Sequence, residues 1–180
     1  MSLTGSRLRF AVLPAAALAM LSACASRAET STVAGPEWDF VAFEVKSWGA
    51  PVTSWRMLPD GSGSWTEAVR TEGEPPTTPP ALAWHDIEAA PANYAALESI
   101  LRRLPHPAPN YEDCDNFMND APYGTLRLTR GATTTEIAWN DGCMDEDYRA
   151  FVAVLKEADE HVASLGKAAP VSRTDDPPSG

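Results

Sequence analysis

The sequence predicts an α+β fold. It is expected as an antiparallel sheet from two β-hairpins, each followed by a helix packed on one face, a ββαββα-like order. Three observations carry this. "WDFVAFEVKSW" alternates apolar and polar residues with the period of a half-buried strand. Two turn sequences, "PDGSG" and "RGATT", each separate a pair of strand-like runs. Two later stretches repeat apolar residues at three- and four-residue spacing, the signature of amphipathic helices.

Taken in chain order, the first strand has Val41, Phe43 and Val45 on one face and Ala42, Glu44 and Lys46 on the other. A second strand is expected over Thr53 to Leu58. The turn Pro59 to Gly63 has a mechanism, because proline fixes φ and glycine accepts positive φ. Ser64 to Arg70 then returns as the paired strand. Glu72 to Pro80, "EGEPPTTPP", cannot lie inside a sheet, since proline lacks the ladder donor, and it reads as a connector. A helix starts at Pro91 or Asn93, buries Tyr94, Leu97, Leu101 and Leu104, and stops at Pro105. Thr125 to Thr129 and Thr135 to Trp139 form the second hairpin. The last helix carries Tyr148, Phe151, Val152, Leu155, Val162 and Leu165 on one face. Asp145, Glu146 and Asp147 occupy its first turn, where the dipole favours anions, and Gly166 ends it.

The N-terminus indicates an address. Arg7 and Arg9 precede an apolar run, Phe10 to Leu21, that is short of the roughly 20 residues a membrane-crossing helix needs. Pro14 weakens it further as a span. Basic start, short apolar middle and small residues after it are the parts of a secretory signal. Leu21-Ser22-Ala23-Cys24 resembles the lipobox of bacterial lipoproteins, which are cut before the cysteine. The resemblance implies acyl chains on Cys24, and three chains exceed the two that stable anchoring needs. Cys24 is followed by Ala25 and Ser26 rather than aspartate. By the same analogy the destination is the outer membrane, with the body facing the periplasm. The lipobox, the element order and "NDAPYGTLRLTRG … NDGC" resemble small lipoproteins of Gram-negative bacteria, a likeness that implies a fold and no activity. The expected organisation is a signal over 1–23, a tether over 24–36, one domain over 37–166 and a disordered tail over 167–180.

Composition bounds the partners. The formal charge is -11, and loss of Arg7 and Arg9 takes it to -13. So acidic a body repels phosphate backbones, which argues against a nucleic-acid partner. Of three cysteines, Cys24 would be acylated, leaving Cys114 and Cys143 as a pair expected to bond in an oxidising compartment. Zinc is the rival, but His85, His106 and His161 lie at no ligand spacing from either cysteine. "YEDCDNFMND" and "NDGCMDED" are dense in acids, yet they lack the D-x-[DN]-x-[DN]-G order of a calcium loop. They read as turn formers and helix-start acids, so neither metal nor cofactor is expected.

No G-x-S-x-G elbow, H-E-x-x-H helix or glycine-rich phosphate loop occurs. Trp38, Trp48, Trp55, Trp65, Trp84 and Trp139 could fill a core or stack on sugar rings. Trp48 and Trp55, near the strand ends around "WGAPVTSW", are the two expected to be exposed and to meet a partner. The expectation is a non-catalytic outer-membrane lipoprotein whose body binds another envelope component, a protein or a glycan. One alternative is an inhibitor of a cationic enzyme such as lysozyme, suggested by the acidity. The other is a cell-envelope hydrolase using paired carboxylates.

Overall fold

The computed structural model describes residues 35–73 and 78–175. The signal, Cys24 and most of the tether fall outside those residues, as do 74–77 of the connector and the last five residues.

The alternation at the start of the body becomes β1 (Phe40–Ser47), with Val41 and Phe43 buried. A two-residue turn, Trp48-Gly49, returns the chain as β2 (Ala50–Met57). Both turn residues have positive φ, 53° and 81°, as the turn twist that fits a two-residue hairpin requires. Pro51 is accommodated where the β1–β2 register shifts, between Val45 and Lys46. The expected proline-glycine turn then leads to β3 (Gly63–Val69). Asp60 Oδ1 accepts from the Ser62 N–H at 2.9 Å and its hydroxyl at 2.6 Å.

Beyond the connector the structure adds a strand that the sequence reading left unassigned, β4 (Ala81–Ile87), antiparallel to β3. Helix α1 (Pro91–Leu101) begins at its proline and buries Tyr94, Leu97 and Leu101. It ends three residues sooner than expected, with Leu104 only partly buried. The second hairpin, β5 (Tyr123–Arg130) and β6 (Thr133–Asn140), pairs in unbroken register. Helix α2 (Glu146–Ala168) follows, and β7 (Val171–Asp175) closes the described chain against β4.

The sheet is seven-stranded and antiparallel, in the order β6-β5-β1-β2-β3-β4-β7. The fold is therefore α+β, as expected, but the ββαββα arrangement is not matched. The first four strands form one continuous meander, and the second hairpin joins its β1 edge instead of standing as a repeat. The segment from Lys167, expected as a disordered tail, forms the end of α2 and then β7 as far as Asp175. Gly166, expected to end the helix, lies inside it.

One sheet face is covered and the other is open. Register aligns Leu126, Phe43, Trp55, Trp65 and His85 across five strands, and that row faces the helices. Phe43 stacks on Trp139 and on Trp55, with centroids 5.3 and 5.5 Å apart. Three polar contacts lock the helices in place: Asp159 Oδ1 accepts from Trp55 Nε1 at 2.9 Å, His161 Nε2 meets the Asn93 carbonyl at 3.0 Å, and His85 Nδ1 meets the Ala169 carbonyl at 2.9 Å. The open face carries Glu44, Lys46, Arg127 and Glu136 among others, with Arg127 bonded to Glu136 at 2.7 Å.

Candidate functional site: the Trp48 hollow

At one end of the sheet the β1–β2 turn meets the loop from Cys114 to Pro122. That loop is fixed from several directions. Cys114 and Cys143 are bonded, with Cα atoms 5.9 Å apart, as their count predicts. In the chain-entropy account a loop of this length contributes about 3 to 4 kcal/mol. Beside the bridge, the Met118 N–H donates to the Gly142 carbonyl at 2.7 Å and the Met144 N–H to the Asn116 carbonyl at 2.8 Å. Gly142 is required here, because a Cβ would stand 2.2 Å from the Met118 carbonyl oxygen.

The two acidic stretches meet at the bridge, and one acid has a clear duty. Asp145 sits at the start of α2 but makes no side-chain bond to its own helix. Its carboxylate instead accepts the Asp115 N–H at 2.9 Å and the Asn116 N–H and Nδ2 at 3.2 and 3.1 Å. The Asp115 amide, then the Asn116 side chain, hold its pKa below the ordinary value. Among the described residues, Cys114, Cys143 and Asp145 bring three potential metal-ligand atoms within 4.8 Å of one another. The two sulfurs are bonded to each other and the carboxylate already has three donors, so the trio is poorly suited to an ion.

Between turn and loop lies an open hollow of about 340 Å³, walled by Trp48, Phe117, Asn119, Asp120, Tyr123 and Asn140. Trp48 is 78% exposed. Phe117, Met118, Tyr123 and Met144 are further large apolar side chains exposed at this end. The only non-glycine residues with positive φ among those described are Trp48 at 53° and Asp120 at 71°, and both line this hollow. The hairpin requires that conformation at Trp48 and aspartate tolerates it at Asp120, so both are turn features, although a tryptophan there costs about 1 kcal/mol or more. A second hollow of about 190 Å³ adjoins it, sharing Tyr123 and Asn140 and adding Glu44, Lys46 and Thr125. Glu44 and Lys46 are paired at 3.2 Å. The whole is an aromatic platform bordered by amides, a carboxylate and an ion pair.

Trp48 thus stands where the sequence puts it, but Trp55 does not. Trp55 is 3% exposed, because its register opposite Phe43 turns it toward the helices, where Asp159 takes its N–H. Sequence reasoning weighed Asp120 only as part of an acidic cluster and passed over Phe117, Asn119, Tyr123 and Asn140. The available signal was their closeness to the two cysteines, whose pairing folds both segments to one place.

A third cavity lies under the sheet. It measures about 150 Å³ and is lined by Phe43, Val45, Trp139 and Leu155, with Asp141 and Asp159 at its border. Asp141 is paired with Lys156 at 2.8 Å. The Asp159 carboxyl is pushed above its ordinary pKa, chiefly by burial.

No protein-family model matches the chain, and a search of curated proteins returned no match.

Proposed function

We propose that the chain is a non-catalytic lipoprotein of the outer membrane, held by acyl chains on Cys24, whose body faces the periplasm and binds an envelope glycan at the Trp48 hollow. The observation that carries this reading is the exposed Trp48 indole, which shares one hollow with Asn119, Asp120 and Asn140. An indole face suits the apolar C–H face of a sugar ring. Asn119, Asp120 and Asn140 line the same hollow and offer amide and carboxylate groups as partners for ring hydroxyls. A hollow of this size falls in the ordinary range of small-ligand sites, which starts near roughly 300 Å³. The cavity bordered by Asp141 and Asp159 falls below that range and holds one acid already paired, which disfavours a carboxylate hydrolase.

The alternative of inhibiting a cationic enzyme draws on the -11 charge. One experiment separates the two. Titration with soluble N-acetylglucosamine oligomers, followed by calorimetry, should show binding that Trp48→Ala weakens about tenfold or more without lowering Tm. Oligomers that do not bind, or bind the Ala variant equally well, would refute the glycan reading. Tight binding of lysozyme instead would favour the inhibitor. The anchor is checked in the same strain, where Cys24→Ala should abolish palmitate incorporation.

A further inference from the structure

The two edges of the sheet are built differently. The β7 edge is short, its ladder to β4 shifts register between Trp84 and His85, it carries Arg173 and Asp175, and Pro170 precedes it. Bulges, charges and a proline are the devices that keep an edge from pairing with another chain. The β6 edge has neither a bulge nor a proline. Eight residues, "TTTEIAWN", run in unshifted register against β5, with no proline and no basic residue. The single charge, Glu136, is paired across the strand to Arg127. β-Branched and aromatic residues dominate, and Thr134, Thr135, Glu136 and Ala138 are exposed.

A groove of about 890 Å³ runs beside this edge. Thr135 to Ala138 form one wall, and the loop from Pro105 to Asn110 forms the other. Leu101, Leu104, Leu128 and Ile137 supply an apolar floor. Pro105, Pro107 and Pro109 have no N–H, so at those positions the loop cannot donate to β6 and close the gap itself. The groove shares no residue with the Trp48 hollow.

We infer that the β6 edge takes up an extended peptide of another protein, which adds to the sheet as an eighth strand. Alternate side chains of the peptide lie on the apolar floor, as in other strand additions. A second copy would bring its own Glu136 and its own net acidity to the same edge, whereas a basic peptide would be drawn to it. Charge selects the peptide further. At this border Glu37, Glu98 and Glu136 face Arg102 and Arg127, leaving an excess of acid on a chain of net charge -11. The peptide is therefore apolar at alternate positions and basic at its ends.

The probe is a fluorescein-labelled heptapeptide of alternating valine and threonine with a lysine at each end, titrated by anisotropy into the whole mature protein. Amide shift mapping should place it along Thr133 to Ala138, since the Tyr148 hydroxyl already accepts the Asn140 N–H at 3.0 Å. Methylating one backbone nitrogen on the peptide edge that faces β6 should weaken binding about tenfold, the loss of one ladder bond and its clash. Methylation at the next residue, whose N–H points away, should change it less than about twofold. Glu136→Gln, an exposed substitution, should weaken the lysine peptide and leave a lysine-free version unaffected. Absence of binding, equal loss from both methylated peptides, or shifts centred elsewhere would overturn the inference. So would a concentration-dependent dimer that the peptide does not dissociate, since that would assign the edge to a second copy.

Discussion

Asp159 is an acid that α2 directs into the core rather than toward water. Burial is the largest influence on it and raises its pKa; the Trp55 N–H opposes that, Glu160 adds to it, and Lys167 opposes it again. A carboxyl whose folded pKa lies above 3.8 binds its proton more tightly in the native state. Its stabilising contribution is complete below 3.8 and is lost as pH rises through the raised value. Asp60 and Asp145 run the other way. Both are lowered by hydrogen bonds, so their contribution is present above 3.8 and is lost as pH falls through their folded values. Asp159→Asn keeps an acceptor for Trp55 and removes the buried charge. It should raise Tm at pH 7 by roughly 2 to 5 °C and bring no gain in acid, where the wild-type carboxyl is protonated. Asp159→Ala should lower stability by about 1 to 3 kcal/mol, because the Trp55 N–H is left without a partner. Thermal melts of the three proteins across pH decide it; an Asn variant no more stable than wild type at pH 7 would contradict the burial argument.

At the scale of elements, α2 shows what spacing conveys. Tyr148, Phe151, Val152, Leu155 and Val162 are buried as their period predicts, because an amphipathic stripe has one way to face a sheet. Gly166 shows the limit of that reasoning. A glycine after a periodic run resembles a helix stop, yet here the helix continues and Trp65 fills the space beside it. A Cβ at Gly166 would lie 2.5 Å from Trp65 Cβ and 2.6 Å from Cε3. Alanine gains about 1 kcal/mol of helix propensity and meets an overpacking cost of about 1 to 3 kcal/mol. Trp65 is almost wholly buried and cannot move aside, so Gly166→Ala should destabilise the protein by about 1 kcal/mol. Urea denaturation measures this, and a stabilised Ala variant would mean that the helix–sheet contact yields. β4 escaped the sequence reading for a related reason. "ALAWHDI" places a histidine on the buried face, acceptable only because the Ala169 carbonyl is there to meet it.

For the whole molecule, the end of the chain completes the sheet. Deleting 171–180 removes the β4–β7 ladder, the Trp84 Nε1 bond to Asp175 at 2.8 Å and the Arg173 guanidinium 4.2 Å above the Trp84 ring. The shortened protein should lose about 1 to 3 kcal/mol and self-associate through a bare β4 edge. Denaturant midpoints and sedimentation test both effects; an unchanged midpoint would make β7 a passive appendage. Five strands and both helices were legible because each is a local pattern: alternation, turn chemistry or a 3.6-residue stripe. The pairing of Cys114 with Cys143 was legible from their number. Strand order, the recruitment of β7, the burial of Trp55 and the meeting of Trp48 with Asp120 were decided by tertiary structure alone. Periodicity says that a strand has an apolar face, but long-range register decides which strand lies beside it and which residues that neighbour covers.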